Sequence, residues 1–537
     1  MRVTPRPALA LLAMALSVVT SCRTPAEDPS RLRTVRMVLR NDPSSLSLIG
    51  KTDYNSDILA RLISDSLVQY DAKLNFRPRL AESWVLSADG RTVTFRLKAG
   101  VKWQDGTPFS SRDVVYTVKK VREPATEART WVGFFEDVVS IEAPDELTVR
   151  VSYAEPHADF LDAWRLPIVP EHLAERDKDF LTGSFANHPV GCGAFRFASR
   201  KTGSEIVLEA NHDYWEGRPS VDRLVFEILP SDRTAYEALV NGDIDLMALT
   251  PDLWQEAQAS PRTSRLARVV YYPLRVYYLG WNQDGSNPFF GDPRVRRAMV
   301  LALDRERFIA RVFRGLARAA VTTYHPDSVW ADPTLAPWPY DPVEAGRLLD
   351  EAGWRDSNGD GVRDRGEIPF RFTLMIPAST QEVTDRTAAW VQQSLASIGI
   401  KMEIEKLEWR TIQERRGEHR FQAAMASLSF TPVPDQHELY HSSSRKQGFN
   451  YVGFADPETD RLLEEGRKTF DPLARQKIYF HLQRRLHDLE PISCLFHSAS
   501  PLMYDARLEG VEPSPLGPLE IVPGPPRWRW AGTSPGG

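Results

Sequence analysis

The sequence predicts a mixed α/β fold divided into two or three domains, and three observations carry that reading. The chain has 537 residues, more than one hydrophobic core usually supports. Phe370 to Ile376 and Lys401 to Leu407 read as strands flanking a helical pattern from Val383 to Ile398, the spacing of a βαβ unit. Elsewhere short runs alternate at period two, as in Arg91 to Leu97 and Leu147 to Tyr153, which marks half-buried strands.

At the N-terminus, Arg2 and Arg6 precede an apolar run from Ala8 to Thr20. It is too short for a mature membrane span and suits the core of an export signal. It ends in Val19-Thr20-Ser21-Cys22, similar to the bacterial lipobox, whose Cys becomes the acylated first residue. The expectation is a signal peptide over 1–21, a lipid anchor on Cys22 and a polar tether over 22–33. Several acyl chains, at about 0.8 kcal/mol per buried methylene, hold a protein on a membrane. The competing reading is an ordinary cleavage site with an incidental Cys.

Further along, Asp57 to Val68 places Ile58, Leu62, Ile63 and Leu67 at helical spacing. The turn Asp89-Gly90 enters the first alternating strand, and Trp103 to Phe109 forms a second turn. Ser111 then caps a helix with Asp113 in its first turn. Long helices are expected over Arg294 to Phe313, Asp341 to Ala352, Glu458 to Arg467 and Leu473 to Leu489. The tail after Val511 is Pro-rich.

A net charge of −5 with 26% charged residues leaves no electrostatic footprint for nucleic acid. The 40 prolines imply many loops, and 14 tryptophans suit a cavity lined with flat apolar surfaces. Cys192 and Cys494 either pair in an oxidising compartment or remain two buried thiols, and sequence leaves both open.

Several ordered motifs then accumulate. They are Leu80-Ala-Glu-Ser-Trp84, Ala88-Asp-Gly90, Phe95 to Trp103, Asp105-Gly-Thr-Pro-Phe109 and Asp113 to Tyr116. Pro189-Val-Gly-Cys-Gly-Ala-Phe195, Asn241-Gly-Asp-Ile-Asp-Leu246, and Asp292 to Ala298 with Ala302 to Arg305 follow. Over nearly its whole mature length the chain resembles the extracytoplasmic solute-binding proteins of peptide, dipeptide and nickel ABC importers. The resemblance implies a two-lobed periplasmic-binding-protein fold (type II), with an extra domain in the first lobe and a ligand enclosed between lobes by hinge closure. It divides the chain into lobe I (34–66, 190–272 and 495–537), the extra domain (67–189) and lobe II (273–494). It also implies a binder and not an enzyme, a monomer, a small-molecule ligand, an importer permease as partner, membrane contact through the lipid anchor only, and a place on the outer side of a bacterial membrane. A sensory or chaperone-like lipoprotein that kept the fold is the alternative.

Within the motifs, Asp89-Gly90, Asp105-Gly106, Gly191 and Gly193 read as turns or close-packing points. Arg294, Arg296 and Asp304 read as structural ion pairs. In peptide-binding relatives an Asp shortly after a Trp holds the peptide's ammonium group. Aligned from Trp409, those positions are Leu428 and Thr431, and a Thr cannot neutralise a buried ammonium. Trp409, Arg416, Phe430 and Thr431 are the expected ligand-lining residues. Arg416 either meets a carboxylate bidentately or is a solvated surface Arg. Near the N-terminus the family's Leu-Asp-Pro becomes Leu46-Ser47-Leu48, which removes a second acidic group.

Two metal-like patterns stand beside these. His437-Glu-Leu-Tyr-His441 fits the zinc-hydrolase pattern, with Glu438 to polarise water; its competitor is coincidence on a helix the family already has. Asp356, Asn358, Asp360, Val362, Asp364 and Glu367, with Gly361 between, fit the twelve-residue calcium loop. Arg363 stands in its usual apolar position and a strand follows instead of a helix, so a metal-free turn is the favoured reading. No other cofactor is expected.

Overall fold

Two mixed sheets, joined by two chain crossings, organise the computed structural model. It describes residues 33–532 apart from 51–52, 129–130, 178, 181–182 and 379–381. Cys22, the signal peptide and most of the tether therefore lie outside the described residues. None of the described helices is long and apolar enough to cross a membrane.

The first sheet runs in the order Leu266–Tyr271, Ser500–Asp505, Leu246–Ala248, Thr34–Leu39, Arg223–Ile228, Glu205–Ala210, Phe195–Lys201. The second runs Ala317–Ala319, Ile492–Ser498, Arg275–Trp281, Ala423–Ser429, Arg371–Pro377, Lys401–Leu407. The chain passes between them at 271–275 and again at 498–500. This is lobe I and lobe II. Because Ile492–Ser498 pairs with Arg275–Trp281, lobe II extends to Ser498, four residues beyond the boundary expected at 494.

The βαβ unit forms as its spacing predicts. Arg371 faces Lys401 and Pro377 faces Leu407 in a parallel pair, bridged by the helix Glu382–Ala396. The extra domain is a four-stranded antiparallel sheet, Ala81–Leu86, Thr92–Leu97, Thr148–Tyr153, Val138–Asp145, packed on the helix Ser111–Arg122. Ser110 and not Ser111 caps that helix: its backbone N–H donates to Asp113 at 2.8 Å in a capping box.

Three local expectations are corrected. The first helix is Tyr54–Ile63, capped by Asp53, and stops early because Leu67 and Val68 donate to the Trp164 carbonyl. The long helix after Asp292 breaks after Leu301. Asp304 caps a new turn, Arg305–Phe308, which continues as a π-helical turn Ile309–Phe313. Arg296 makes no carboxylate hydrogen bond; it donates to the carbonyls of Phe290, Gly291, Leu489 and Glu490, whereas Arg294 does pair with Asp292. Cys192 and Cys494 are both buried and free.

Candidate functional site: a cleft between the lobes

Strand Ala423–Ser429 ends beside the hinge, with Ser429 opposite Arg275. The parallel strands Arg371–Pro377 and Lys401–Leu407 point the same way, so their carboxyl ends face the crossing between lobes. That is where an open α/β sheet offers a crevice.

Trp409 opens the helix Trp409–Gly417 directly after the last of these strands and is 49% exposed. Phe430 leaves strand Ala423–Ser429 and donates its N–H to the Leu274 carbonyl in the hinge at 3.1 Å. Its ring meets the edge of His497, centroids 6.5 Å apart. Thr431 follows, half-buried. These three therefore belong to the hinge-facing edge of lobe II.

Arg416 does not join them. It sits at the other end of its helix, 7% exposed, donates to the Tyr278 hydroxyl at 2.8 Å and lies 4.2 Å from the Tyr451 ring centroid. Neither the solvated surface Arg nor a free carboxylate clamp describes it. The guanidinium is committed to the interior of lobe II.

His497 lies beside the hinge on lobe II. Its Nδ1 donates to the Arg275 carbonyl at 2.9 Å, and burial, with His325 and Arg318 nearby, pushes its imidazole down to about 4. It is neutral at physiological pH. Thr322, Tyr324, Val329, Phe480, Gln483 and His497 line a cavity of about 490 Å³, within the range of small-molecule pockets.

Lobe I contributes residues that sequence reasoning missed. Tyr54, first in its helix, is 62% exposed and lies beside Glu520, Tyr271 and Arg275. Burial there, followed by Glu520 and Tyr271, raises its phenol well above the ordinary value, and Arg275 opposes the shift. Glu520 comes from the Pro-rich tail. Burial pushes its carboxyl up to about 7, against the pull of Arg61, Arg165 and the Tyr54 hydroxyl. Both arginines have partners of their own, Arg61 with Asp57 at 2.8 Å and Arg165 with Asp162 at 2.6 Å. The tail is thus part of lobe I: Trp528 is fully buried, and Trp530 donates to the Thr34 carbonyl at 3.2 Å. No periodicity or motif announces Glu520, because its neighbours lie hundreds of residues away.

The two metal-like patterns take different local forms. His437–Tyr440 is a single helical turn, and the His437 and His441 rings stack at 4.1 Å. His441 Nε2 faces Glu464 at 3.4 Å. Among the described residues no third donor converges on both rings, and the group whose donor atoms do converge is His157, Asp159 and Asp435. Its carboxylates are occupied by Arg475 and Arg467. In the loop from Asp356 to Glu367, Asp356 accepts the N–H groups of Gly359 and Gly361, while Asp364 accepts from Ser357. Asn358 and Asp360 accept from Asp360 N and Val362 N. Glu367 sits on the turn of a small hairpin, Asp364–Arg365 with Ile368–Pro369.

Two lobes, a double hinge and an inserted domain match one family. The description of bacterial extracellular solute-binding proteins, family 5, covers residues 75–451. The chain belongs to this family. Among family 5 relatives, the oligopeptide-binding protein AppA of Bacillus subtilis is 29% identical over 486 residues, 88% of each chain. Protein XP55 of Streptomyces lividans is 31% identical over 451 residues, 83% of this chain and 80% of that protein. The structure of B. subtilis AppA in complex with a nonapeptide superposes with a TM-score of 0.80 at 27% identity, over 93% of this chain and 99% of that one. Family 5 proteins are solute binders and not enzymes, and they work outside the cytoplasm; the expected two-lobed fold and family are those observed.

Proposed function

We propose that this protein is a lipid-anchored solute-binding protein that encloses a small solute between its lobes and delivers it to the permease of an ABC importer. The observation that carries the reading is the convergence of Tyr54 and Glu520 from one lobe with Phe430 and His497 from the other on the double hinge. A solute there is gripped from both sides only when the lobes close. AppA, described with a bound nonapeptide, supports a peptide-like or similarly sized ligand.

A thermal-shift screen of peptides, sugars, amino acids and metal chelates tests the capture. A ligand at a hundred times its dissociation constant adds about 2.7 kcal/mol to stability. A screen in which nothing raises the melting temperature would count against a binder of these classes. Anchoring has its own test. Cys22→Ser is expected to move the protein from the membrane fraction to the soluble extract, and unchanged membrane association would show that Cys22 is not the anchor. The Asp356 to Glu367 loop acts in this reading as a metal-free turn. Millimolar calcium leaves the melting temperature where it was; a rise abolished by Asp360→Ala would make the loop a calcium site.

A further inference from the structure

Beyond the two covalent crossings, the lobes meet at a third place. The segment Ala154 to Asp159 of the extra domain reaches lobe II at the helices Pro457–Lys468 and Pro472–Leu489. The Ala158 N–H donates to the Arg467 carbonyl at 2.8 Å. Arg475 Nη1 donates to Asp159 Oδ1 at 2.7 Å, and Nη2 donates to Oδ2. The two side chains are 6% and 7% exposed. Arg475 is aimed by its own lobe, because its Nε donates to the Gly466 carbonyl at 2.8 Å. Beside it, Arg467 donates to Asp435 at 2.8 Å, and His157 Nε2 stands 3.6 Å from the same carboxylate. Phe470 closes the edge so tightly that a Cβ on Gly90 would lie 2.7 Å from its ring.

The helix carrying Arg475 leads through Glu490 and Pro491 into strand Ile492–Ser498, which ends at the hinge, and its Gln476 and Phe480 line the same cavity as His497 at that end of the strand. Its first turns therefore stand at the cleft-facing end of lobe II, opposite the extra domain. When the lobes part, Asp159 and Arg475 separate and both charges return to water. Rehydration and lost attraction nearly cancel for a buried ion pair, so the intact pair neither forces the cleft shut nor holds it open. One charge buried without the other is strongly unfavourable.

We propose that Asp159 and Arg475 are a matched pair on which closure depends: the extra domain and lobe II close over them only when each buried charge meets the other, so loss of either one alone lowers the fraction of molecules resting closed, and through that fraction the apparent ligand affinity, without touching the ligand. It follows that apparent affinity falls in proportion to the closed fraction. The inference rests on the hinge-closing reading above, but its test needs neither ligand nor importer, so the failure of one is separable from the failure of the other.

The test measures the distance between nitroxide labels on Val139→Cys in the extra domain and Val343→Cys in lobe II, which are 68% and 83% exposed. The background carries Cys22→Ser; Cys192 and Cys494 are buried and stay unlabelled. Asp159→Asn and Arg475→Gln are each expected to reduce the short-distance population about tenfold. The double variant Asp159→Leu with Arg475→Met, which removes both charges, is expected to return it to within about threefold of the parent. Identical distributions in all four proteins overturn the proposal, and so does a double variant as open as the single ones. Asp159→Cys with Arg475→Cys, in the unlabelled Cys22→Ser background and treated with a bis-maleimide about as long as the ion pair it replaces, covers the case of a single variant that does not fold. The two cysteines are expected to cross-link, and failure to cross-link shows that the two positions do not meet in solution.

Discussion

Each lobe contains a glutamate whose carboxyl burial raises to about 7, and the two have opposite surroundings. Glu490 in lobe II is 5% exposed and faces Arg305, Ser493, Trp338 and Arg296. Those guanidiniums are already spent on carbonyls: Arg305 donates to Ala320, Cys494 and Trp338, and Arg296 to Leu489 and Phe290. Glu490 completes a closed interior network. Glu520 in lobe I lies beside Tyr54, and the arginines near it are paired with other acids. The same direction of titration therefore occurs in a closed interior network in one lobe and in a partly exposed group beside the hinge in the other. In both lobes the neighbouring guanidiniums are committed elsewhere; what separates the two glutamates is whether solvent can reach the group.

The lobes also differ in how closely their backbones approach, and here the largest effect is expected. A Cβ on Gly191 would lie 2.1 Å from the Ile63 carbonyl oxygen, a backbone atom that cannot turn aside. In lobe II, a Cβ on Gly280 would meet Val452 Cγ1 at 3.1 Å, a methyl group that can shift. Gly191→Ala should lose about 3 kcal/mol or more in urea unfolding, and Gly280→Ala about 1 kcal/mol. Equal losses would mean that lobe I yields at this joint as easily as lobe II.

Next in size is the response to pH. A carboxyl whose folded value exceeds its unfolded value binds its proton more tightly in the folded state. Its penalty is absent below about 4.5, grows as pH rises toward 7, and is constant above that. Glu490→Gln should therefore raise stability at pH 8 by up to about 3 kcal/mol and leave it unchanged at pH 4. Glu520→Gln should do the same more weakly, by roughly 1 kcal/mol, because water reaches that side chain. A gain at pH 4 equal to that at pH 8 would rule out titration as the cause, and a larger gain for Glu520→Gln would reverse the contrast between the lobes.

The contrast also explains what was legible in the sequence. Lobe II shows its βαβ unit because Arg371 to Leu407 completes it within one local stretch. Lobe I assembles from distant pieces: Thr34–Leu39 pairs with Arg223–Ile228 and Leu246–Ala248, and Ser500–Asp505 inserts beside Leu266–Tyr271. No periodicity within one stretch reports such pairing. Trp409, Phe430 and Thr431 were reachable through family resemblance, whereas Tyr54, Arg275, His497 and Glu520 meet only after folding. Arg416 was misread for a related reason. Its neighbours in sequence, Arg415 and Arg420, are polar, while the partners that bury it, Tyr278 and Tyr451, come from elsewhere.

The smallest expected effect decides which wall recognises the ligand. On the lobe II edge, the family resemblance sets Thr431 at the position expected to hold a carboxylate in peptide binders, and His497 is neutral. Neither group offsets a buried ammonium, and the carboxylate that acts on His497, Asp327, is paired with Arg318; loss of a carboxylate partner for a buried ammonium costs about 3–5 kcal/mol, more than a hundredfold in affinity. Free and N-acetylated versions of the same peptides should therefore bind within about threefold of each other in titration calorimetry. A hundredfold loss on acetylation would overturn the expectation and place a carboxylate anchor in the cleft. Glu520→Gln then locates it. If the substitution weakens the free peptide as much as acetylation does and leaves the acetylated one unchanged, recognition has moved from the lobe II edge to the wall of lobe I.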